Sequence, residues 1–425
     1  MKGKFLRVAT IVSVGACALI STAYAADAVS NFELCPGFTV VTAVSTEDGD
    51  YESIKRITAM DENTVTIHYS NERMVSDFLS SDPPRLVRTD LDRDIRRTDL
   101  HSAELYLQQF DERLPTLVPE TTAIGISTEL FRKLKTGEPA KMGVFIAFSQ
   151  TPSLDRNTHP NVYDNQMIAP VVRSESEPQK LRVIVDDRPV ELPSIRVTGE
   201  FFGDKAEFWF LDDELNPITL RYRFGVDHVN IPADIATQLG IPVPDPKDKE
   251  RFDVIKIASI CDRPAIQEAA PPPAGEIPEM DGLLGAAGEG SSGSGSGGLP
   301  ALAEAIEQAL AEDGTIDLYT IHFSFAKANL RPESAETINA IATVLARHPE
   351  WKMEITGHTD SIGGDADNLK LSNARAGTVK SALVSGHKID AERLFVAGRG
   401  ETSPVSENDT PVGRALNRRV EIRKM

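Results

Sequence analysis

The sequence predicts a two-part chain, a β-rich N-terminal domain followed by a small α+β domain of the βαβαβ sandwich type. Three observations lead to that expectation. Period-2 runs rich in β-branched and aromatic residues crowd residues 26–263. Residues 264–298 are mostly Pro, Gly and Ser, with almost nothing to bury. Beyond them, helical and extended patterns alternate through residues 299–425.

In the first part, Thr64 to Tyr69, Val144 to Phe148, Arg182 to Val185 and Ile195 to Glu200 have the alternation of strands. Ala206 to Leu211 and Thr219 to Phe224 flank Asp212-Asp213 and Asn216-Pro217, a strand–turn–strand pattern. Helix is expected at Ser102 to Phe110, and at Thr128 to Lys135 behind a capping Ser127. Polar residues alternating with apolar ones suit a sandwich or an open barrel in water. A membrane barrel is the alternative. It calls for tilted strands of about 9–11 residues and aromatic girdles, and the chain holds only two Trp with many charges inside the candidate strands.

The linker contains Pro271-Pro272-Pro273 and the Gly/Ser tract from Gly288 to Gly298. As flexible chain, its roughly 35 residues would span about 30–35 Å. No Gly-Lys-Ser/Thr follows the glycines, so they do not form a phosphate cradle. After the linker, Ala301 to Glu312 has Leu302, Ala305, Ile306, Ala309 and Leu310 at helical spacing. Ile316 to Phe325 reads as a strand, Glu333 to His348 as a helix and Trp351 to Thr356 as a strand. Leu371 to Ser385 (helix), Leu394 to Ala397 and Arg419 to Arg423 (strands) complete the alternation.

The 425 residues carry a formal charge of −19. Such a chain is repelled by nucleic acid and by anionic lipid, so any polymer it grips must be held by a few placed groups. Lys2, Lys4 and Arg7, the apolar stretch Val8 to Ile20 and Ala23-Tyr24-Ala25 read as an export signal over residues 1–25. The rival is a lipid anchor on Cys17, within Val14-Gly15-Ala16-Cys17. Cleavage would leave Cys35 and Cys261 at the two ends of the first domain. In an oxidising compartment they are candidates for a disulfide worth about 4–5 kcal/mol in the chain-entropy model, against the alternative of two buried thiols.

The chemistry concentrates in Gly357-His358-Thr359-Asp360, Asn368, Leu371-Ser372, Arg375-Ala376 and Asn417-Arg418-Arg419-Val420-Glu421. Asp360 follows a strand, in a loop with Gly363 and Gly364, and Arg375 lies in the next helix. A carboxylate beside a guanidinium can hold the two halves of a zwitterion, such as the amino-acid end of meso-diaminopimelate in a peptidoglycan stem peptide. The same two residues could also make only a structural salt bridge. His358 has no second His, Cys or carboxylate cluster at ligand spacing, so a structural place in the turn is expected and no metal.

With these motifs in hand, residues 315 to 425 resemble the OmpA-like peptidoglycan-binding domain, shared by outer-membrane porin tails, peptidoglycan-associated lipoproteins and flagellar stator proteins. The likeness runs through Phe323-Ser324-Phe325, Gly357 to Asp360, Asn368 to Ala376, Gly398-Arg399-Gly400-Glu401 and Asn417 to Glu421. It covers about a quarter of the chain. The resemblance implies a βαβαβ-type fold binding diaminopimelate, with Asp360 taking the ligand amine and Arg375 its carboxylate. Asn368 and Arg418 would complete the pocket. Ser324 departs from the family, which often has Asp there as a second acceptor for the amine.

The expected protein is a non-catalytic anchor in a Gram-negative envelope. It would sit in the periplasm at the peptidoglycan, or against the outer membrane beside it, with no cofactor. Its N-terminal domain would be tethered at the wall, free to meet an envelope or outer-membrane partner. The alternatives are an envelope-polymer enzyme targeted by the tail and an outer-membrane barrel with a periplasmic tail. The first domain holds no Gly-x-Ser-x-Gly, Asp-Thr/Ser-Gly or His-Glu-x-x-His, and Asp186-Asp187 and Asp212-Asp213 read as turns.

Overall fold

A computed structural model describes residues 32–46, 49–75, 85–110, 114–145, 166–175, 177–226, 248–259 and 299–425. The export signal, Cys17, Cys261, the linker and the end of the strand expected at Val144 to Phe148 lie outside the described residues.

The N-terminal region opens on four antiparallel strands, β1 (Thr39–Thr46), β2 (Gly49–Met60), β3 (Thr64–Val75) and β4 (Arg85–Arg96). Next come helix α1 (Arg97–Ser102), strands β5 (Leu105–Tyr106) and β6 (Thr121–Thr122), helix α2 (Thr128–Thr136) and strands β7 (Ala140–Phe145) and β8 (Gln166–Arg173). Strands β9 (Gln179–Val185), β10 (Arg188–Phe201), β11 (Asp204–Leu211), β12 (Thr219–Phe224) and β13 (Glu250–Ala258) finish it. All belong to one 13-stranded sheet, in the order β4-β3-β2-β1-β13-β12-β11-β10-β8-β7-β5-β6, with β9 pairing both β10 and β13. Through β9 the strands β13, β12, β11 and β10 close into a ring, which is nearer to the barrel expectation than to a sandwich.

Side-chain alternation explains why these runs pair as they do. On β11, Ala206, Phe208 and Phe210 enter the core, where Phe208 stacks on Tyr222 with ring centroids 4.7 Å apart. Glu207 and Trp209 face the other way. Arg196, Lys205 and Arg223 surround Glu207, and Arg196 and Arg221 flank the Trp209 ring. Helix α2 starts where Ser127 accepts a hydrogen bond from Leu130 N and stops at Gly137 in the left-handed region, as a cap and a Gly terminus dictate. Asp186 and Asp187 form the β9–β10 turn with φ of 48° and 60°. Cys35 is disulfide-bonded.

One expected helix is corrected. Ser102 to Phe110 is not helical: α1 ends at Ser102, and Leu105-Tyr106 pair in parallel with Gly143-Val144 of β7 and with Thr121-Thr122 of β6. Sheet pairing and burial of Tyr106 and Leu107 outweigh a weak local helix preference.

The C-terminal region comprises α3 (Leu299–Glu312), β14 (Thr315–Leu318), α4 (Ala335–Arg347), β15 (Met353–His358), α5 (Asp365–His387), β16 (Leu394–Gly400), α6 (Pro411–Asn417) and β17 (Val420–Lys424). Its four-stranded sheet has the order β14-β17-β15-β16, with β15 and β16 parallel and the other pairs antiparallel. One apolar core joins α3, α4 and α5 to the sheet through Leu310, Ile341, Val379, Ile355 and Ile422. The strand expected at Ile316 to Phe325 stops at Leu318, because Tyr319 and Thr320 bond to the N-terminal region instead of continuing a ladder.

The two regions pack directly on one another. Val41, Ala43, Ile54 and Ile255 form a small core with Ala415, and Ile184 packs with Tyr319 and Leu416. Around it, the Asp187 carboxylate accepts from Tyr319 N at 2.9 Å and from the Thr320 hydroxyl at 3.0 Å. Lys256 Nζ donates to the Tyr319 carbonyl. Asp187 is therefore a turn residue that also docks the two regions.

Candidate functional site

The loop and helix that carry the site are positioned by close backbone approach. A Cβ on Gly357 would lie 2.2 Å from the Ser372 carbonyl oxygen, and one on Gly398 would lie 2.6 Å from Asn373 N. Only glycine lets β15 and β16 meet α5 this closely. Ser372 then ties the parts together, donating to Leu369 O and accepting from Gly400 N at 2.8 Å. Asn417 accepts from Val405 N and Ser406 N, fastening the loop that leads into α6. These contacts account for the Gly, Ser and Asn positions of the motifs.

Asp360 lies two residues past β15 and is buried. One carboxylate oxygen accepts from Ile362 N at 3.0 Å and the other from Arg418 Nη1 at 2.6 Å. The Asp360 partner is thus Arg418 rather than Arg375. Asn368, in the first turn of α5, donates to Glu401 Oε2 at 2.6 Å and to the carbonyls of Asp360 and Ile362 at 3.3 Å each. It shapes the loop around Asp360. Arg375 is buried on α5, donates through Nε to Lys327 O at 3.1 Å, and sits 5.0 Å from the centroid of the Phe323 ring. Burial lowers its guanidinium to about 10, with the nearby Arg418 adding to the effect.

All four expected site residues, Asp360, Asn368, Arg375 and Arg418, line one cavity of about 600 Å³. Its size is that of a small-ligand site. Its opposite wall comes from the N-terminal region: β2 supplies Asp50 and Glu52, and β3 supplies Glu72 and Arg73. Glu52 accepts from Arg418 Nη2 at 2.7 Å, so Arg418 bridges two carboxylates, Glu52 and Asp360. Burial raises the Glu52 carboxyl, but the Arg418 and Lys256 charges outweigh it and bring it to about 2. Burial likewise lowers Arg418, and Glu52 and Asp360 raise it by more. Arg414 pairs with Asp50. Glu72 accepts from Phe325 N at 2.7 Å.

Glu52, Asp50 and Glu72 are not legible as site residues in the sequence. They sit in ordinary alternating strands, and nothing local marks them. Glu401 and Phe323 belong to the motifs, but their spacing alone gives them no role. His358 is buried at the end of β15, 3.4 Å from Glu421, and burial together with Arg419 and Arg399 lowers it to about 4. Among the described residues no group of three or more His, Cys, Asp or Glu could hold a metal ion. None of the described helices is long and apolar enough to cross a membrane.

The OmpA family description matches residues 322–418, which include Asp360, Asn368, Arg375 and Arg418. Residues 322–418 are an OmpA family domain. The chain is 37% identical over 124 residues to outer membrane porin F of Pseudomonas aeruginosa, covering 29% of this chain and 33% of that protein. It is 40% identical over 102 residues to the probable lipoprotein YiaD of Escherichia coli, covering 24% of this chain and 46% of that one. It is 37% identical over 102 residues to the peptidoglycan-binding protein ArfA of Mycobacterium bovis, covering 24% of this chain and 31% of that one. The chain thus spans between about a third and a half of the length of these relatives. The family match stops short of residues 32–259.

Proposed function

We propose that this is an envelope protein that binds peptidoglycan non-covalently, through the diaminopimelate of stem peptides, at the cavity beside Arg375. The observation that carries the reading is a buried arginine on the wall of an open cavity, inside an OmpA family domain. Arg375 is held by one backbone carbonyl and one ring face, which leaves its planar fork available for a carboxylate. The name of the ArfA relative supports peptidoglycan as the polymer, and porin F supports a place at the outer membrane.

Charge-assisted hydrogen bonds of about 1.5–3 kcal/mol each, less the cost of association, give weak binding per site. On a polymer of repeated stem peptides a released protein is recaptured nearby, so weak sites suffice for anchoring. The test is cosedimentation of the full chain with purified sacculi. Arg375→Ala is expected to cut the pelleted fraction at least tenfold, and Asp360→Ala to weaken it through the loss of loop order. Equal pelleting of all three proteins would overturn the reading.

A second reading, an outer-membrane barrel with a periplasmic tail, draws on the ring that β9 closes with β10 to β13 and on the likeness to porin F. Heat-modifiable migration in detergent gels would support it. Release in soluble form by osmotic shock would count against it.

A further inference from the structure

We propose that the ligand site is composite, with Glu72 of the N-terminal region supplying the anion that meets the ligand ammonium while Arg375 meets its carboxylate. This inference rests on the diaminopimelate reading and adds to it a residue outside the OmpA family domain.

Several of the charges in the cavity are already paired. Arg418 is shared by Glu52 and Asp360, and Arg414 is taken by Asp50. Asp360, expected to hold the amine, thus has one oxygen on Arg418 and the other on Ile362 N. Among the described residues, Arg375 and Glu72 have only backbone hydrogen-bond partners, while Arg73 lies over the Tyr51 ring at 6.0 Å. Arg375 donates to Lys327 O, and Glu72 accepts from Phe325 N.

Those two contacts fall on the same tight turn, closed by Lys327 N donating to Ser324 O at 3.0 Å, with Ala326 at φ 51°. Glu72 grips one side of the turn and Arg375 the other, and both line the cavity. A cation site and an anion site held by one turn can form a receptor for a zwitterion, which presents both charges together. Glu72 is 8% exposed as a residue, so a ligand ammonium reaching its carboxylate would pair in a partly desolvated setting. The remaining cavity, about 600 Å³ in all, leaves room for the peptide that carries the zwitterion.

Glu72→Gln is the informative substitution, because the amide oxygen can still accept from Phe325 N while the charge is gone. Binding to the full chain is measured by calorimetry with meso-diaminopimelate and with pimelate, the same carbon chain with carboxylates but no ammonium groups. Glu72→Gln is expected to weaken diaminopimelate at least tenfold, and to leave pimelate unchanged or bound more tightly. Arg375→Ala is expected to weaken both. Equal effects of Glu72→Gln on the two ligands, or no effect on either, with unfolding temperatures matched to wild type, would overturn the role of Glu72. If wild type does not bind diaminopimelate, or Arg375→Ala changes nothing, the underlying reading fails and this inference fails with it.

Discussion

The two walls of the cavity were built under different constraints. The C-terminal wall is made of short motifs in which each residue meets a local geometric demand. Gly357 and Gly398 let strand meet helix, Ser372 joins both, and Asn417 pins a loop. The N-terminal wall is made of two long strands in which Glu52 and Glu72 are merely the residues that happen to point at the interface. A motif wall tolerates almost no change and is visible in one sequence. A strand wall can change any side chain without losing its backbone, so its function leaves no local signature.

That contrast predicts a steep difference in mutational cost. Gly357→Ala should destabilise the protein by about 3 kcal/mol or more, since its Cβ would meet backbone 2.2 Å away and neither side can yield. Gly377→Ala, in the interior of α5 with nothing within 4 Å, should instead be neutral or stabilise by roughly 0.5–1 kcal/mol. Chemical denaturation of both variants measures the difference, and similar midpoints would remove the packing explanation of the motif glycines.

On the strand wall, Glu52→Gln removes one of the two carboxylates that hold Arg418. A cost of about 1–2 kcal/mol is expected, because Asp360 still pairs the guanidinium. Glu52→Gln should also leave the N-terminal core intact, so near-ultraviolet signals of the β-rich region should not change. The joint core around Ala415 makes a related claim about cooperativity. Ala415→Asp should separate one unfolding transition into two, and a single unchanged transition would show that the regions do not depend on this contact.

Acid separates the same contributions by charge. His358 is lowered to about 4 in the folded chain, against about 6.5 when unfolded. The unfolded chain then binds the proton first. The stability from keeping His358 neutral is complete above pH 6.5 and is lost as pH falls toward 4. His322, lowered to about 3 by burial and by Lys256, acts in the same direction. His358→Gln should flatten the pH dependence between 6.5 and 4 by an amount on the order of 1–2 kcal/mol, discounted for screening. An unchanged slope would mean that His358 does not contribute.

Much of the C-terminal region is legible in the sequence because helical and strand periods alternate there and the motifs are dense. The limits of α5 and the early end of β14 are not, since the first depends on a loop fold and the second on Asp187 arriving from a distant turn. In the N-terminal region the strands at Thr64, Ile195, Ala206 and Thr219 are readable from alternation. The stretch after Ser102 reads as helix in isolation, because only pairing with β7 makes it extended. Asp360, Asn368, Arg375 and Arg418, each within a motif, line one cavity. The Asp360–Arg418–Glu52 bridge is out of reach of sequence, for no local pattern records which strand of another region will face a pocket.

The most direct measurement is a crystal structure of the full chain with meso-diaminopimelate bound. The expected result is a ligand carboxylate in hydrogen-bond contact with Arg375 and a ligand ammonium facing Glu72, inside the cavity between β2–β3 and the Ser324–Lys327 turn. A ligand bound elsewhere, or one whose contacts all come from residues 299–425, would contradict it.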